Sequence, residues 1–202
     1  MDQEAKQQAE ALLPTSWGNF IIAAHSDDSG DYTPHLVLRH PDVDPELPVL
    51  VRIHSECITG DIFHSKKCDC GEQLHKSMEY LAADKGILIY LRQEGRGIGI
   101  INKLKAYRHQ ENGLDTIQAN KALGLESDYR KYDIAGSILK SLHIKRVRLI
   151  TNNPDKLTGL SESGIEVVER VPLIIQPTRE SQGYLKTKED MMGHLLSDKE
   201  NV

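Results

Sequence analysis

The 202-residue sequence has no long hydrophobic run, no excess of basic residues and only three cysteines. Its apolar runs are a few residues long, far short of the ~20 that a membrane-spanning helix needs, so we expect no membrane association. The first residues lack the basic and apolar segments of a secretory signal, and we expect a cytoplasmic protein. A net charge of −5 argues against nucleic-acid binding through overall basicity, although a local basic pocket for a small anion remains possible.

Length and composition indicate one domain. With 39% hydrophobic residues, the chain can bury a substantial core. No internal repeat or low-complexity tract divides it. We expect a single domain over 1–202, with an N-terminal arm at 1–13 and a C-terminal tail at 197–202. The arm is predicted to form a short polar helix that ends at Pro14.

The pattern of apolar residues changes along the chain. The first part predicts three strands in antiparallel pairing, at 20–24, 35–39 and 49–53. After the cysteines, helices alternate with strands. The predicted helices span 72–84 (with Gly86 as its C-terminal cap), 100–110, 116–123, 133–142 and 154–163, and the strands span 87–91, 147–150 and 165–171. This predicts an α/β fold, a mostly parallel or mixed sheet flanked by helices, with an antiparallel N-terminal portion.

All three cysteines, Cys57, Cys68 and Cys70, fall in one short segment. An odd count argues against a disulfide framework, and the charged residues around the last two are untypical of a core, so metal binding is favoured over packing. Three thiolates occupy three of the four positions that zinc prefers. Either the fourth position is open and holds a water whose pKa the metal lowers to roughly 7, or His54 or His64 closes a structural site.

Segment 92–99, RQEGRGIG, follows a predicted strand and precedes a helix. Glycines let a backbone approach a ligand closely, and a helix N-terminus favours an anion. Residues 92–108 hold five basic side chains against Glu94 alone. The segment matches neither the Walker nor the Rossmann pattern. It is therefore either a phosphate-binding loop or an ordinary strand-to-helix turn with a solvated basic face.

Two further segments are weaker candidates. Residues 151–156 lie at the carboxyl end of a predicted strand, where α/β sheets gather ligands. Pro154 is also a favourable first residue of a helix, so simple capping explains the same segment. The triplet at 128–130 lies between two predicted helices and is by itself typical of a solvated turn.

Taken together, the motifs resemble a known family. They are RIHSEC at 52–57, the cysteine spacing, RQEGRGIG at 92–99, TNNP at 151–154 and ERVPL at 169–173. In order and spacing they are similar to GTP cyclohydrolase II, the zinc enzyme that begins riboflavin biosynthesis. The resemblance runs from Leu13 to Leu195 and is to the free-standing form rather than the fusion with a dihydroxybutanone phosphate synthase.

The resemblance implies an activity. The family hydrolyses GTP to 2,5-diamino-6-(5-phospho-D-ribosylamino)pyrimidin-4(3H)-one, formate and diphosphate. Removing one carbon of guanine as formate needs two hydrolytic attacks at that carbon, which favours the open zinc site. Loss of diphosphate implies Mg²⁺ beside zinc. The family commonly forms homodimers.

The resemblance also implies roles for individual residues. Cys57, Cys68 and Cys70 would bind zinc, and Tyr107 would complete ring opening and deformylation. Asp128 is assigned as general base and Arg130 as nucleophile at the α-phosphorus, although a guanidinium, which stays protonated, is better suited to clamp a phosphate. The residues implied to contact GTP are Arg52, Ile53, His54, Ser55, Glu56, Gln73, Glu94, Gly95, Arg96, Thr116, Thr151 and Lys156.

Two rival functions fit these residues less well. A nucleotide-binding module without turnover would have no use for Tyr107, Asp128 and Arg130 together. A relative that stops at the formamidopyrimidine would be expected to lack the tyrosine, which is present here at 107.

Overall fold

A computed structural model describes residues 5–126 and 128–176. The structure is a seven-stranded mixed sheet with strand order β1-β2-β3-β5-β4-β6-β7, flanked by helices. The predicted α/β class is confirmed. The tail at 197–202 lies outside the described residues. Within those residues, no helix is both long and apolar enough to cross a membrane.

The N-terminal half of the sheet is antiparallel. Its strands are β1 (Lys6–Thr15), β2 (Gly18–Ser26) and β3 (His35–Arg39), followed in space by β5 (Ile87–Leu91). The helix predicted within 1–13 is wrong, because residues 6–15 form β1. Pairing with β2 along the length of β1 overrides local helix propensity, and Pro14 is tolerated because β1 is an edge strand.

The other half of the sheet is parallel. It contains β4 (Val49–Ser55), β6 (Arg146–Ile150) and β7 (Glu166–Val171), and β4 lies between β5 and β6. Antiparallel pairing of all three N-terminal strands is therefore wrong for β4. Its first six residues are all buried, which is typical of a central parallel strand covered on both faces.

Helices cover both faces of the sheet. They are α1 (Ile58–Asp61), α2 (Cys70–Ala83), α3 (Gly99–Glu111), α4 (Thr116–Ala122), α5 (Asp133–Ser141) and α6 (Pro154–Glu162), with a 3₁₀ turn at Glu94–Gly97. One core cluster joins α5 and α6 to alternate residues of β4 and β5, such as Val51 and Ile89. The second joins α2 to the other face, through Leu50 and Leu88. Because side chains alternate along a strand, Arg52 and His54 lie on the face of Leu50.

Gly86 does not end α2 in the predicted way. The left-handed conformation falls on Lys85, with φ 54°, one residue earlier. A Cβ at position 86 would lie 2.5 Å from the Leu50 carbonyl oxygen and 2.5 Å from Leu81 Cδ2, so close packing requires glycine here.

Chain topology places a crevice between β4 and β6. From β4 the chain crosses to β5 on one side, whereas from β6 it crosses to β7 on the other. Adjacent parallel strands whose connections leave in opposite directions open a crevice at their carboxyl ends, where α/β proteins bind ligands. Cys57 follows β4 and Thr151 follows β6, so both candidate segments meet at this crevice.

Candidate active site

A cavity of about 520 Å³ opens at the carboxyl ends of the central strands. It brings together most of the residues that the sequence singled out. These are Cys57, Cys68, Cys70, Arg52, His54, Ser55, Glu56, Gln73, Glu94, Gly95, Arg96, Tyr107, Arg130, Thr151 and Lys156.

Two of the predicted residues, Ile53 and Asp128, are not among those that line it. The Ile53 side chain is fully buried on the opposite face of β4, but its backbone carbonyl oxygen accepts a hydrogen bond of 2.7 Å from Lys156 Nζ, which does line the cavity. Thr116 begins α4, but its side chain lies outside the described part of the chain. Asp128 bonds to Arg130, which does line the cavity. The described lining also includes residues that were not predicted to contact GTP, among them Lys67, Lys103, Asn152 and Asn153.

The three cysteine sulphurs form one cluster at the cavity. Their Sγ atoms all lie within 4.8 Å of one another, and Cys57 Sγ is 3.6 Å from Cys68 Sγ. Tetrahedral zinc with Zn–S bonds of ~2.3 Å separates its sulphur ligands by ~3.8 Å. The three thiols therefore fit a zinc ion with little rearrangement.

Two glycines allow the cysteines to converge. A Cβ on Gly60, in α1, would lie 2.9 Å from Cys68 Sγ and 3.3 Å from Cys57 Sγ. A Cβ on Gly71, in α2, would lie 2.3 Å from the carbonyl oxygen of Gly60. The backbones of α1 and of the first turn of α2 are therefore in contact at these two glycines, and this contact places Cys57 and Cys70 near each other.

Hydrogen bonds among the three thiols shift the pKa values of Cys57 and Cys68 in opposite directions. Hydrogen bonds from Cys68 and Cys70 lower the pKa of the Cys57 thiol, with Lys103 adding to the effect. Donation to Cys57 raises the pKa of Cys68 to about 11. A divalent metal would stabilise all three as thiolates, and soft sulphur donors are the ligands that zinc accepts.

Neither histidine that could close the site joins the sulphur cluster. Among the described residues, the candidate ligands that converge are the three cysteines alone. His54 Nε2 instead donates to Asp61 Oδ1 at 3.0 Å, and His64 packs against the ring of His75 with centroids 5.8 Å apart. Burial lowers the pKa of His54 despite its contact with Asp61, so its imidazole is neutral at neutral pH. The geometry favours the open site over the closed one.

Two buried carboxylates, Asp61 and Glu94, accept hydrogen bonds from the backbone at Cys57 and Ile58. Of these two, Asp61 was not identified from the sequence. Asp61 Oδ2 accepts hydrogen bonds from the Cys57 amide at 3.0 Å and from the Tyr90 hydroxyl at 2.8 Å. Glu94 Oε2 accepts from the Ile58 amide at 2.6 Å. The only sequence signal for Asp61 is its position in the first turn after Cys57. Tyr90 is placed by strand register, since it lies opposite His54.

Part of the cavity wall is cationic. Arg52 lines this part of the wall and is fixed by two hydrogen bonds, which it donates to the Ile150 carbonyl at 3.2 Å and to Gln73 Oε1 at 2.6 Å. Lys156 Nζ and the Arg130 guanidinium lie 5.6 and 5.8 Å from the ring of buried Tyr132. These cations belong to different elements, and the fold brings them to one side of the cavity.

Asp128 and Arg130 form an ion pair. Arg130 Nε donates to both carboxylate oxygens of Asp128, at 2.9 and 3.0 Å. Burial raises the pKa of Asp128, but the hydrogen bonds and charge of Arg130 outweigh it and lower that pKa overall. The carboxylate thus fixes the guanidinium at the cavity wall.

The glycine-rich segment folds into the 3₁₀ turn and carries strain. Gly95 and Arg96 have φ values of 61° and 62°, and the Arg96 carbonyl accepts from the Tyr129 amide at 2.9 Å. A Cβ on Gly97 would lie 2.9 Å from Tyr129 Cβ. The segment is therefore packed against the 128–130 loop, which connects the two regions.

Tyr107 extends from α3 toward the cysteines. Burial raises the pKa of its phenol, against a lowering hydrogen bond with Thr59 and the charge of Lys103. The phenol is therefore protonated at neutral pH and able to donate a hydrogen bond or a proton.

Comparison with known proteins agrees with this arrangement. The family model for GTP cyclohydrolase II matches residues 6–172. GTP cyclohydrolase-2 of Buchnera aphidicola subsp. Acyrthosiphon pisum is 49% identical over 190 residues, covering 94% of this chain and 97% of the relative. Riboflavin biosynthesis protein RibBA of Bacillus cereus is 49% identical over 192 residues, covering 95% of this chain and 48% of the relative, so the chain spans about half of that protein. With the family match running from the first residue of β1 to the residue after β7, the chain belongs to the GTP cyclohydrolase II family.

Proposed function

We propose that the protein binds zinc and hydrolyses GTP to 2,5-diamino-6-(5-phospho-D-ribosylamino)pyrimidin-4(3H)-one, formate and diphosphate, as the first step of riboflavin biosynthesis. The observation that carries the proposal is the meeting of a three-thiol cluster and a cationic wall in one cavity. Such a cavity offers a metal to the base of a nucleotide and positive charge to its phosphates.

Cys57, Cys68 and Cys70 would hold the ion. Bound there, the ion would supply an activated water for both hydrolytic attacks on the guanine carbon. Tyr107 would donate a hydrogen bond or a proton to the group that leaves or gains charge in those steps. Its raised pKa supports this role because the phenol keeps its proton near pH 7.

Arg130 and Lys156 would hold the phosphates. A guanidinium binds phosphate oxygens in a bidentate fork and keeps its charge throughout the physiological range. The ion pair with Asp128 supports the clamp, since it fixes the orientation of the guanidinium. The general-base role of Asp128 and the nucleophilic role of Arg130 stay predictions, as do Mg²⁺, the homodimer and the cytoplasmic location.

The remaining GTP contacts are proposed for the segments at the strand ends. Ser55 and Thr151 lie where β4 and β6 enter the cavity, and Gly95 and Arg96 lie in the 3₁₀ turn. Amide and side-chain donors at such edges select a base by pairing with its polar groups.

Product analysis tests the proposal. Purified protein is incubated with GTP, Zn²⁺ and Mg²⁺, and the products are identified by mass spectrometry, with formate and diphosphate measured separately. We expect one formate and one diphosphate for each diaminopyrimidine formed, and no turnover after zinc is removed with a chelator. Accumulation of a formamidopyrimidine, or turnover that survives metal removal, would contradict the proposal.

A further inference from the structure

Lys103 is a buried cation that contacts the sulphur cluster. The proposed mechanism gives it no role. It lies on α3, and its side chain is 11% exposed. Its Nζ donates to Cys57 Sγ at 3.1 Å and to Glu94 Oε1 at 2.8 Å. A buried ammonium is costly unless it is paired and hydrogen-bonded, and both conditions are met here.

Glu94 connects Lys103 to two backbone segments. One oxygen accepts from the Ile58 amide at 2.6 Å, directly after Cys57, and the other accepts from Lys103 and from the Gly95 amide at 2.6 Å. Both oxygens of this carboxylate are used within the protein, and the residue is only 8% exposed. Its side chain therefore braces the site by joining the two segments.

From these contacts we infer that Lys103 is a positioning residue. It binds the Cys57 sulphur and, through Glu94, holds the backbone at Cys57 and Ile58 against the 3₁₀ turn that borders the cavity. The inference rests on the proposed zinc site. A hydrogen bond to a ligand sulphur fixes its direction, and the positive charge of the ammonium offsets the excess negative charge of three thiolates around one divalent ion; both effects favour metal binding.

Metal binding tests the inference apart from catalysis. Zinc affinity is measured by competition with a chromophoric chelator, and the cobalt-substituted protein reports the sulphur-to-metal charge-transfer band. In Lys103→Met the apolar stem is kept and both hydrogen bonds are lost. We expect zinc affinity to fall by roughly 10- to 100-fold and the cobalt band to shift.

The matched control is Lys105→Met. Lys105 lies two residues further along α3 with an exposed side chain, so the same change in charge occurs on the same helix without the contacts. Zinc affinity and the cobalt spectrum should match those of the unmodified protein. In Glu94→Gln the carboxylate that fixes Nζ is lost while the amide oxygen remains, so a smaller fall in affinity is expected.

Each outcome has a distinct meaning. Equal zinc affinity and an unchanged cobalt band in Lys103→Met would overturn the inference. Unfolding of metal-free Lys103→Met, followed by circular dichroism, would also overturn it by assigning the lysine to the fold. Failure of the unmodified protein to bind zinc or cobalt through sulphur would instead refute the proposed function.

Discussion

Gly60→Ala should weaken zinc binding while leaving the metal-free protein folded. The new Cβ would lie 2.9 Å from Cys68 Sγ, 3.0 Å from Cys70 Cβ and 3.3 Å from Cys57 Sγ, so it meets all three proposed ligands. In the metal-free protein the thiols can rotate away. In the zinc-bound protein they are fixed, and the steric cost appears as lost affinity.

The size of the effect follows from packing. Adding a methyl group to a well-packed site costs about 1–3 kcal/mol. Since about 1.4 kcal/mol corresponds to a tenfold change in an equilibrium constant, zinc should bind about 5- to 150-fold more weakly. Chelator competition measures this, and thermal unfolding without metal checks the fold.

Gly30→Ala is the control for the same substitution. A Cβ there would lie 3.5 Å from Asp28 Oδ1, an ordinary contact in an exposed turn remote from the cysteines. Zinc affinity should not change in this variant. If Gly60→Ala binds zinc as tightly as the unmodified protein, the cysteines do not act as the joint ligand set that the geometry implies.

Three further changes test the proposed chemistry. Cys68→Ser should abolish ring opening but keep the circular dichroism of the fold, because the main core cluster lies on the opposite face of the sheet; normal formate release would refute the zinc role. ATP should be turned over far more slowly than GTP, by up to ~10⁴, because its base would leave buried polar groups unpaired; comparable product formation in parallel assays would contradict base selection. Tyr107→Phe should lower formate release by ~10²-fold, as for a lost transition-state donor, while diphosphate release falls less; equal loss of both products would show that the two half-reactions are not separable in this way.

Residues that are close in sequence were predictable. The helix at 154–162 follows from Asn153, whose side chain accepts from the Asp155 amide, and from Pro154 in the first turn. The N-terminal cap of α4 is equally local, because the Asp115 side chain accepts a hydrogen bond from the Gln118 amide. Such signals lie within a few residues of each other, so a single sequence carries them.

Strand pairing was not predictable to the same degree. Nothing local to residues 49–53 distinguishes a strand that pairs with β3 from one that β5 separates from it. Residues 6–13 are good helix formers, and only the presence of β2 makes them a strand. In both places long-range pairing decides between conformations that the local sequence permits.

The same contrast between local and long-range contacts applies to the site. Motifs predicted the cysteines and most of the cavity wall, because those residues occur together in short segments. The bracing contacts join positions far apart: Lys103 reaches Cys57 across 46 residues, and Glu94 reaches Ile58 across 36. A buried lysine at position 103 has the sequence appearance of a solvated basic face, and only the fold shows that its charge is directed inward to a carboxylate and a sulphur. The cysteine segment and the 3₁₀ turn at Glu94–Gly97 are therefore joined through Lys103 and Glu94, and a substitution in one should be detectable in the other.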